Sequence, residues 1–483
     1  MVNGTADEVH AEGSPGAYTR EQVMLTLSFI SYLGIFEILD DAKTSAQILK
    51  QINKALAKTP PVAGNWQVIW GPARYDGLLT IFDENLMFVV QGVHDPSQYA
   101  IVIRGTNPVS ITNWVLQDFA VIRQMPWPYN AHPPGLKPKI SQGTARGLQA
   151  LQNMRPVRGI PGAGSTLYQF LANEVRRNPS PRLTVTVTGH SLGGALSPAL
   201  ALWLSDTQHA SDEVATPPWD PNLKSRIEVY PFAGPSPGNR DWAKYYDLKL
   251  GATTCRMWNE LDVVPHGWAE VALKKLPALY DPDIAPDWLI GLVLWSTTVL
   301  AARGDYVQIL HETKPLIGSK QCTFLKDYLG QMIYQHTAAY TELLKLQSEL
   351  DANVHFQFDP ELRDAVMEVA KAFHSKQAMG NGNGDVKRAV MPAVAATVED
   401  DDALDGMSSA DAEVKAAEWR VHRIPKVLNP VSAGLKRAYR VSASVAMQFV
   451  PHYLALHSLF KRRSLYRDRT RRRTSDFDFG AWR

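Results

Sequence analysis

Cysteine is nearly missing. Of 483 residues only Cys255 and Cys322 carry a thiol, which excludes a disulfide-stapled scaffold and leaves two free thiols or one optional bridge. Long apolar runs are missing too. The longest, Trp288 to Ala302, is broken by Ser296, Thr297 and Thr298 and falls short of the roughly 20 residues that a spanning helix needs. A core or cap helix is the expectation there. The opening "MVNGTADEVHAEGSPGAYTREQ" lacks the charged-then-apolar pattern of a secretory signal, so the expected location is cytoplasmic. No internal repeat is present.

What remains is ordinary globular composition, 45% hydrophobic and 20% charged, enough apolar surface to offset the entropy of ordering the chain. Formal net charge is only +2, but it is unevenly spread: residues 413–483 hold 16 Lys/Arg against 5 Asp/Glu. The basic excess belongs to the C-terminal part. Composition divides the chain into a lead-in (1–18), a main domain (19–378), a Gly/Asn-rich and acidic linker (379–412) and a basic extension (413–483).

Within the main domain, "REQVMLTLSFISYLGIFEIL" and "TSAQILKQINKAL" show helical spacing of apolar residues. Short β-rich runs separated by Asp76-Gly77, Asp83-Glu84-Asn85 and Asp95-Pro96-Ser97 then begin a sheet, with Tyr99 to Arg104 as a buried strand. Beyond it strand-like and helix-like segments alternate. That order predicts an α/β fold with a mostly parallel central sheet flanked by helices, and with the basic C-terminal extension appended.

One corner of that pattern carries chemistry. In "VTVTGHSLGGALSPALALWL" a strand from Leu183 to Thr188 runs into Gly189-His190-Ser191-Leu192-Gly193, and a helix leaves it. A serine at such a strand-to-helix turn is pushed out at the sheet edge as a nucleophile, with glycines on either side removing side chains that would clash. The helix N-terminus offers the Leu192 N–H to a developing oxyanion. An ordinary structural turn is the alternative.

A serine nucleophile needs a base, and the base needs an orienting acid. Asp262, in "TTCRMWNELDVVPHG" after an expected strand from Thr253 to Trp258, is the candidate acid, with Asp241 and Asp247 as alternatives on an apparent helix. For the base, His336 in "QHTAAY" and His311 after "DYVQIL" stand close on pattern alone, while His266 lies only four residues past Asp262. A second oxyanion donor is expected after "YAIVIRGTN", where Thr106 follows Gly105. Trp114, Trp127, Tyr129, Trp268 and Trp288 supply an aromatic wall suited to an acyl chain, or plain core.

Four pieces together, "IVIRGTN" with "NWVLQDF", "VTGHSLGGAL", "YPFAGPSPGN" and "WNELDVVPH", resemble the class 3 (fungal-type) triacylglycerol lipases of the α/β-hydrolase fold. The resemblance spans roughly Tyr18 to Ser348 and implies Ser191 as nucleophile, Asp262 as acid, Thr106 at the oxyanion hole and a lid or lid hinge over Asn107 to Phe119. Because the family's histidine precedes an aromatic by a few residues, it also raises His336 above His311. Two departures stand out: Ser141 occupies a position where the family often has histidine, and 74 positions separate Asp262 from His336, room for an extra element.

The expected activity is ester hydrolysis through an acyl-serine, with triacylglycerol as substrate and no metal or cofactor. Phospholipase A1 and aryl or feruloyl esterase are the neighbouring activities; an inactive lipid-binding or anchoring scaffold is the reading of another class. The extension, with "LFKRRSLYRDRTRRR", suits an anionic membrane or lipid surface, while no nucleic-acid recognition module accompanies it. A merely solvated extension fits it equally.

Overall fold

The computed structural model describes residues 18–33, 41–74, 85–105, 123–129, 133–209, 217–286, 294, 304–322 and 328–346. The lead-in up to residue 17, the linker, the basic extension and the expected lid lie outside the described residues. Among those described, no helix is long and apolar enough to cross a membrane.

Helix α1 (Arg20–Ile30) starts at Thr19, whose hydroxyl accepts the Gln22 N–H while the Gln22 side chain accepts the Thr19 N–H in return. That reciprocal pair satisfies two donors which the first helical turn leaves open. Helix α2 (Asp41–Lys58) follows. The central sheet then forms from β1 (Trp66–Arg74), β2 (Leu86–Gly92), β3 (Gln98–Ile103), β6 (Leu183–His190) and β7 (Ser225–Phe232), in the order β1-β2-β3-β6-β7. A small antiparallel pair, β4 (Gln124–Pro126) and β5 (Lys139–Ser141), stands apart from it.

The sheet is mixed. β1, β2 and β3 run antiparallel to one another, whereas β3, β6 and β7 are parallel. The turn-rich segment of the sequence makes the antiparallel part; the helix–strand alternation makes the parallel part, where crossovers need helices. These helices are α3 (Gln142–Asn153) and α4 (Leu167–Arg177) between β3 and β6, and α5 (Leu192–Asp206) between β6 and β7. Helix α6 (Arg240–Leu250) follows β7, and further on come the short α7 (Glu270–Leu273), α8 (Tyr328–His336) and α9 (Ala338–Leu343).

Period-two alternation sorts the strands between two cores. On β2, Met87 and Val89 join a core with Leu148, Leu171, Leu196 and Trp242, while Leu86, Phe88 and Val90 join another with Leu27, Phe29 and Ile52. On β6 the rule separates Val185 and Val187, which enter the first core, from Thr186 and Thr188, which face α1. There Arg20 donates to the Thr186 hydroxyl at 2.7 Å, and Ser28 and Thr188 share a hydroxyl bond at 3.0 Å. A third cluster gathers Val263, Trp268, Tyr280, Tyr328 and Met332.

One expected strand is much reduced. From Thr253 to Trp258 only two parallel bridges to β7 form, Thr254 with Val229 and Met257 with Phe232. The Cys255 and Met257 N–H groups reach the carbonyls of Val229 and Pro231, but Pro231 has no N–H to return. The ladder therefore lacks one of its bonds at that point.

Candidate active site

The carboxyl ends of β3, β6 and β7 meet at one edge, where Ile103 pairs with Gly189 and His190 pairs with Phe232. Ligands of parallel α/β sheets gather at such an edge. Ser191 sits there between β6 and α5 with φ 63° and ψ −123°, a backbone region that costs a non-glycine residue energy. Its N–H is tied to the Phe232 carbonyl at 3.0 Å, and its carbonyl accepts the Ala195 N–H at 3.1 Å.

Close approach of backbones holds this turn. A Cβ added at Gly193 would collide with the Ile103 carbonyl, and one at Gly189 with the Gly193 carbonyl. Leu192, the first residue of α5, has no helical carbonyl four residues back, so its N–H belongs to the donors at the helix start. Gly105, at the end of the described β3 segment, lies against the His190 carbonyl, the Tyr32 hydroxyl and the Ser191 Cβ. Thr106, Trp114 and Trp288 lie outside the described residues.

Asp262 reaches the site from the loop after the β7 bridges. Its side chain is fully buried, and three donors converge on it: His336 Nδ1–H at 2.8 and 3.0 Å to the two oxygens, the Tyr340 hydroxyl at 2.8 Å and the Val264 N–H at 3.0 Å. Asn259 ties this loop to α8 by donating to the Gln335 carbonyl at 3.0 Å and to its side-chain oxygen at 2.7 Å. The Asn259 N–H in turn donates to the Tyr340 oxygen at 3.0 Å. Burial, and then the charge of Asp262, push the Tyr340 pKa well above the ordinary phenol value, so it remains a donor.

His336, the last residue of α8, is also fully buried. With Nδ1–H directed at a carboxylate, Nε2 carries the lone pair. Nε2 is buried and has no hydrogen-bond partner among the described residues. The His190 ring lies beside it, with ring centroids 4.6 Å apart.

The other candidates are engaged elsewhere. Asp241 accepts the Lys137 N–H and Asp247 the Leu310 N–H, each at 2.9 Å. His266 donates Nε2–H to the Glu260 carbonyl at 3.1 Å, and His311 stands at the surface beside Glu312. Of these groups, the structure brings together Asp262 and His336.

The aromatic wall divides. Trp268 is buried in the third cluster with Met332, one turn before His336 on α8. Trp127 packs against Tyr129 and Trp242, and its indole donates to Asp206, the last residue of α5. A helix of 15 residues, about 22 Å, separates that contact from Ser191. Trp127 and Tyr129 are thus core rather than wall. Among the described residues, no cluster of three His, Cys, Asp or Glu side chains could hold a metal ion.

Sequence reasoning passed over several contributors. Tyr340 had a signal in the "QHTAAY" spacing, and His190 was visible within the serine motif but assigned no task. Asn259 likewise stood within "WNELDVVPH" without a task, and Tyr32 carried no signal, because it acts through contacts far along the chain.

A family model described as lipase (class 3) matches residues 100–271. Among solved structures the chain is similar to the M37 lipase at 37% identity, covering 70% of this chain and 98% of that one, with a TM-score of 0.64. It is also similar to the Rhizomucor miehei lipase in its propeptide complex, at 20% identity over 54% of this chain and 68% of that one, with a TM-score of 0.33. Lipase II from Rhizopus niveus matches at 18% identity over 53% of this chain and 78% of that one, with a TM-score of 0.34. The elbow at the sheet edge and the likeness to the M37 lipase agree: the chain belongs to the class 3 lipases, carboxylic ester hydrolases of the α/β-hydrolase fold.

Proposed function

We propose that the protein is a triacylglycerol lipase that works through Ser191, His336 and Asp262. The observation that carries this is a buried imidazole whose Nδ1–H is held by Asp262 while its Nε2 lone pair has no partner among the described residues, packed on the ring of His190, the residue before Ser191. Ser191 Oγ attacks the ester carbonyl, and its proton passes to His336 Nε2. Asp262 stabilises the imidazolium that forms and keeps the ring in the tautomer that accepts at Nε2.

The tetrahedral oxyanion is held by the Leu192 N–H and by Thr106. His336 then returns its proton to the departing alcohol, and water cleaves the acyl-serine by the same path. Trp268, with Trp114 and Trp288, lines the acyl side, where each buried CH₂ contributes about 0.8 kcal/mol. The basic extension brings the domain to an anionic lipid surface.

The test compares turnover of emulsified long-chain triacylglycerol, phosphatidylcholine and p-nitrophenyl butyrate by the parent, Ser191→Ala, His336→Ala and His311→Ala. The expected result is triacylglycerol hydrolysis abolished by the first two substitutions and kept by the third. Preference for phosphatidylcholine would reassign it as a phospholipase A1, and preference for the soluble ester as an esterase. An inert parent that fails to react with a fluorophosphonate would leave a lipid-binding scaffold.

A further inference from the structure

His190, the residue before Ser191, uses both of its ring nitrogens. Nε2 lies 2.8 Å from the His336 carbonyl and Nδ1 lies 3.0 Å from the Tyr32 hydroxyl. A carbonyl can only accept, so the proton sits on Nε2 and Nδ1 accepts the Tyr32 O–H. The ring is buried and packed edge-on against Phe29 and Tyr340. Burial, and then the neighbouring His336, hold its pKa well below the ordinary histidine value, so it stays neutral beside the base.

The acceptor of that bond is an open helix end. His336 closes α8, and the N–H four residues on, that of Tyr340, bonds the Thr337 carbonyl at 3.1 Å instead. The His336 carbonyl is thereby among those a helix C-terminus leaves without a helical partner. The imidazole of His190 supplies one.

The geometry points to His190 as a positioning residue for the base: from the position before the nucleophile, its ring caps the His336 carbonyl and so sets where His336 Nε2 faces Ser191 Oγ. This rests on the triad reading above. The link is short, since one side chain and one peptide bond connect Ser191 to the backbone of the base. Asp262 fixes the far edge of the His336 ring, and His190 fixes its backbone. The carbonyl itself selects the tautomer that makes the cap, and Tyr32, in the segment after α1, donates to the Nδ1 left open.

His190→Phe keeps an aromatic ring against Phe29 and Tyr340 but removes the donor; His190→Gln keeps a donor. We expect His190→Phe to lower kcat on p-nitrophenyl butyrate about 10- to 100-fold with KM within about twofold, the scale of loss when a catalytic group is misplaced. His190→Gln should recover much of it. In proton NMR the downfield resonance of His336 Nδ1–H on Asp262 should broaden or vanish in His190→Phe and return in His190→Gln. Parental kcat and an intact resonance in His190→Phe would overturn the proposal, as would equal losses in both variants that track equal falls in Tm. Should His190→Phe fail to fold, Tyr32→Phe decides: a several-fold fall in kcat, where the His190 ring loses the hydroxyl that holds its Nδ1 edge, supports the cap, and a parental rate with an intact His336 resonance rejects it. Turnover surviving in Ser191→Ala and His336→Ala would instead reject the triad reading itself.

Discussion

Two buried carboxylates, Asp262 and Asp206, solve the same physical problem with different consequences. Each side chain is shut off from solvent and each accepts a tyrosine hydroxyl, from Tyr340 and Tyr245 respectively, and a further N–H donor. At Asp206 that donor is the Trp127 indole at 2.8 Å, with Lys249 at 3.7 Å. At Asp262 it is an imidazole whose other nitrogen is unpartnered among the described residues. Burying a carboxylate safely requires only donors. Chemistry follows from what a donor carries on its far side, and an indole carries nothing there.

The largest effect should come from breaking the comparison at Asp262. Asp262→Asn should lower kcat about 10⁴-fold, the loss seen when a serine triad loses its carboxylate and the histidine tautomer with it. Steady-state kinetics at neutral pH, with circular dichroism as a check on folding, measures it; a loss under about tenfold would remove Asp262 from the mechanism.

Next is Asn259→Ala, which cuts the Asp262 loop from α8 without touching the carboxylate. Displacement of reacting groups by about 1 Å can cost up to about 10²-fold, and a fall in kcat of that order with KM preserved is expected. Asp206→Asn should do the reverse. It leaves kcat at the parental value while urea unfolding shows about 1–3 kcal/mol lost from buried donors left poorly matched.

The smallest effect concerns pH. His190 and His266 both have pKa values pushed down, first of all by burial. Below about 6.5 the unfolded chain binds protons that these folded rings refuse, so their contribution to stability is present above that pH and is lost as pH falls toward the folded values. Asp206 has the opposite sign. Burial raises its pKa above 3.8, so the folded state binds the extra proton and stability falls as pH rises from about 3.8 through the folded value. Urea unfolding between about pH 4 and 7 should therefore show a shallower acid loss for His190→Gln than for the parent; identical slopes would show that His190 is not held neutral.

Much of the fold was legible because its causes are local. The helical spacing that begins at Arg20, the strand that runs into Ser191 and the glycines around it are features of adjacent residues, and the structure places each where that pattern implies. The segment from Thr253 to Trp258 was less legible: whether its pairing could complete depended on Pro231 in a neighbouring strand. Trp127 and Tyr129 stayed open between wall and core for a related reason. An indole has the same composition in a cleft wall as in a core, and only Asp206, 79 positions away, determined where Trp127 went.

The sequence by itself determined the elbow, since a strand, a serine between glycines and a helix in direct succession leave the backbone few ways to turn. It also determined which residue types could serve as acid and base. Only the tertiary structure shows which of them meet, because a hydrogen bond between Asp262 and His336 depends on how two loops and a helix pack, not on their spacing of 74 positions. The same holds for the neutral His190 ring: its proton is assigned by an open helix end and its other nitrogen takes the Tyr32 hydroxyl, groups that meet only after the chain has folded.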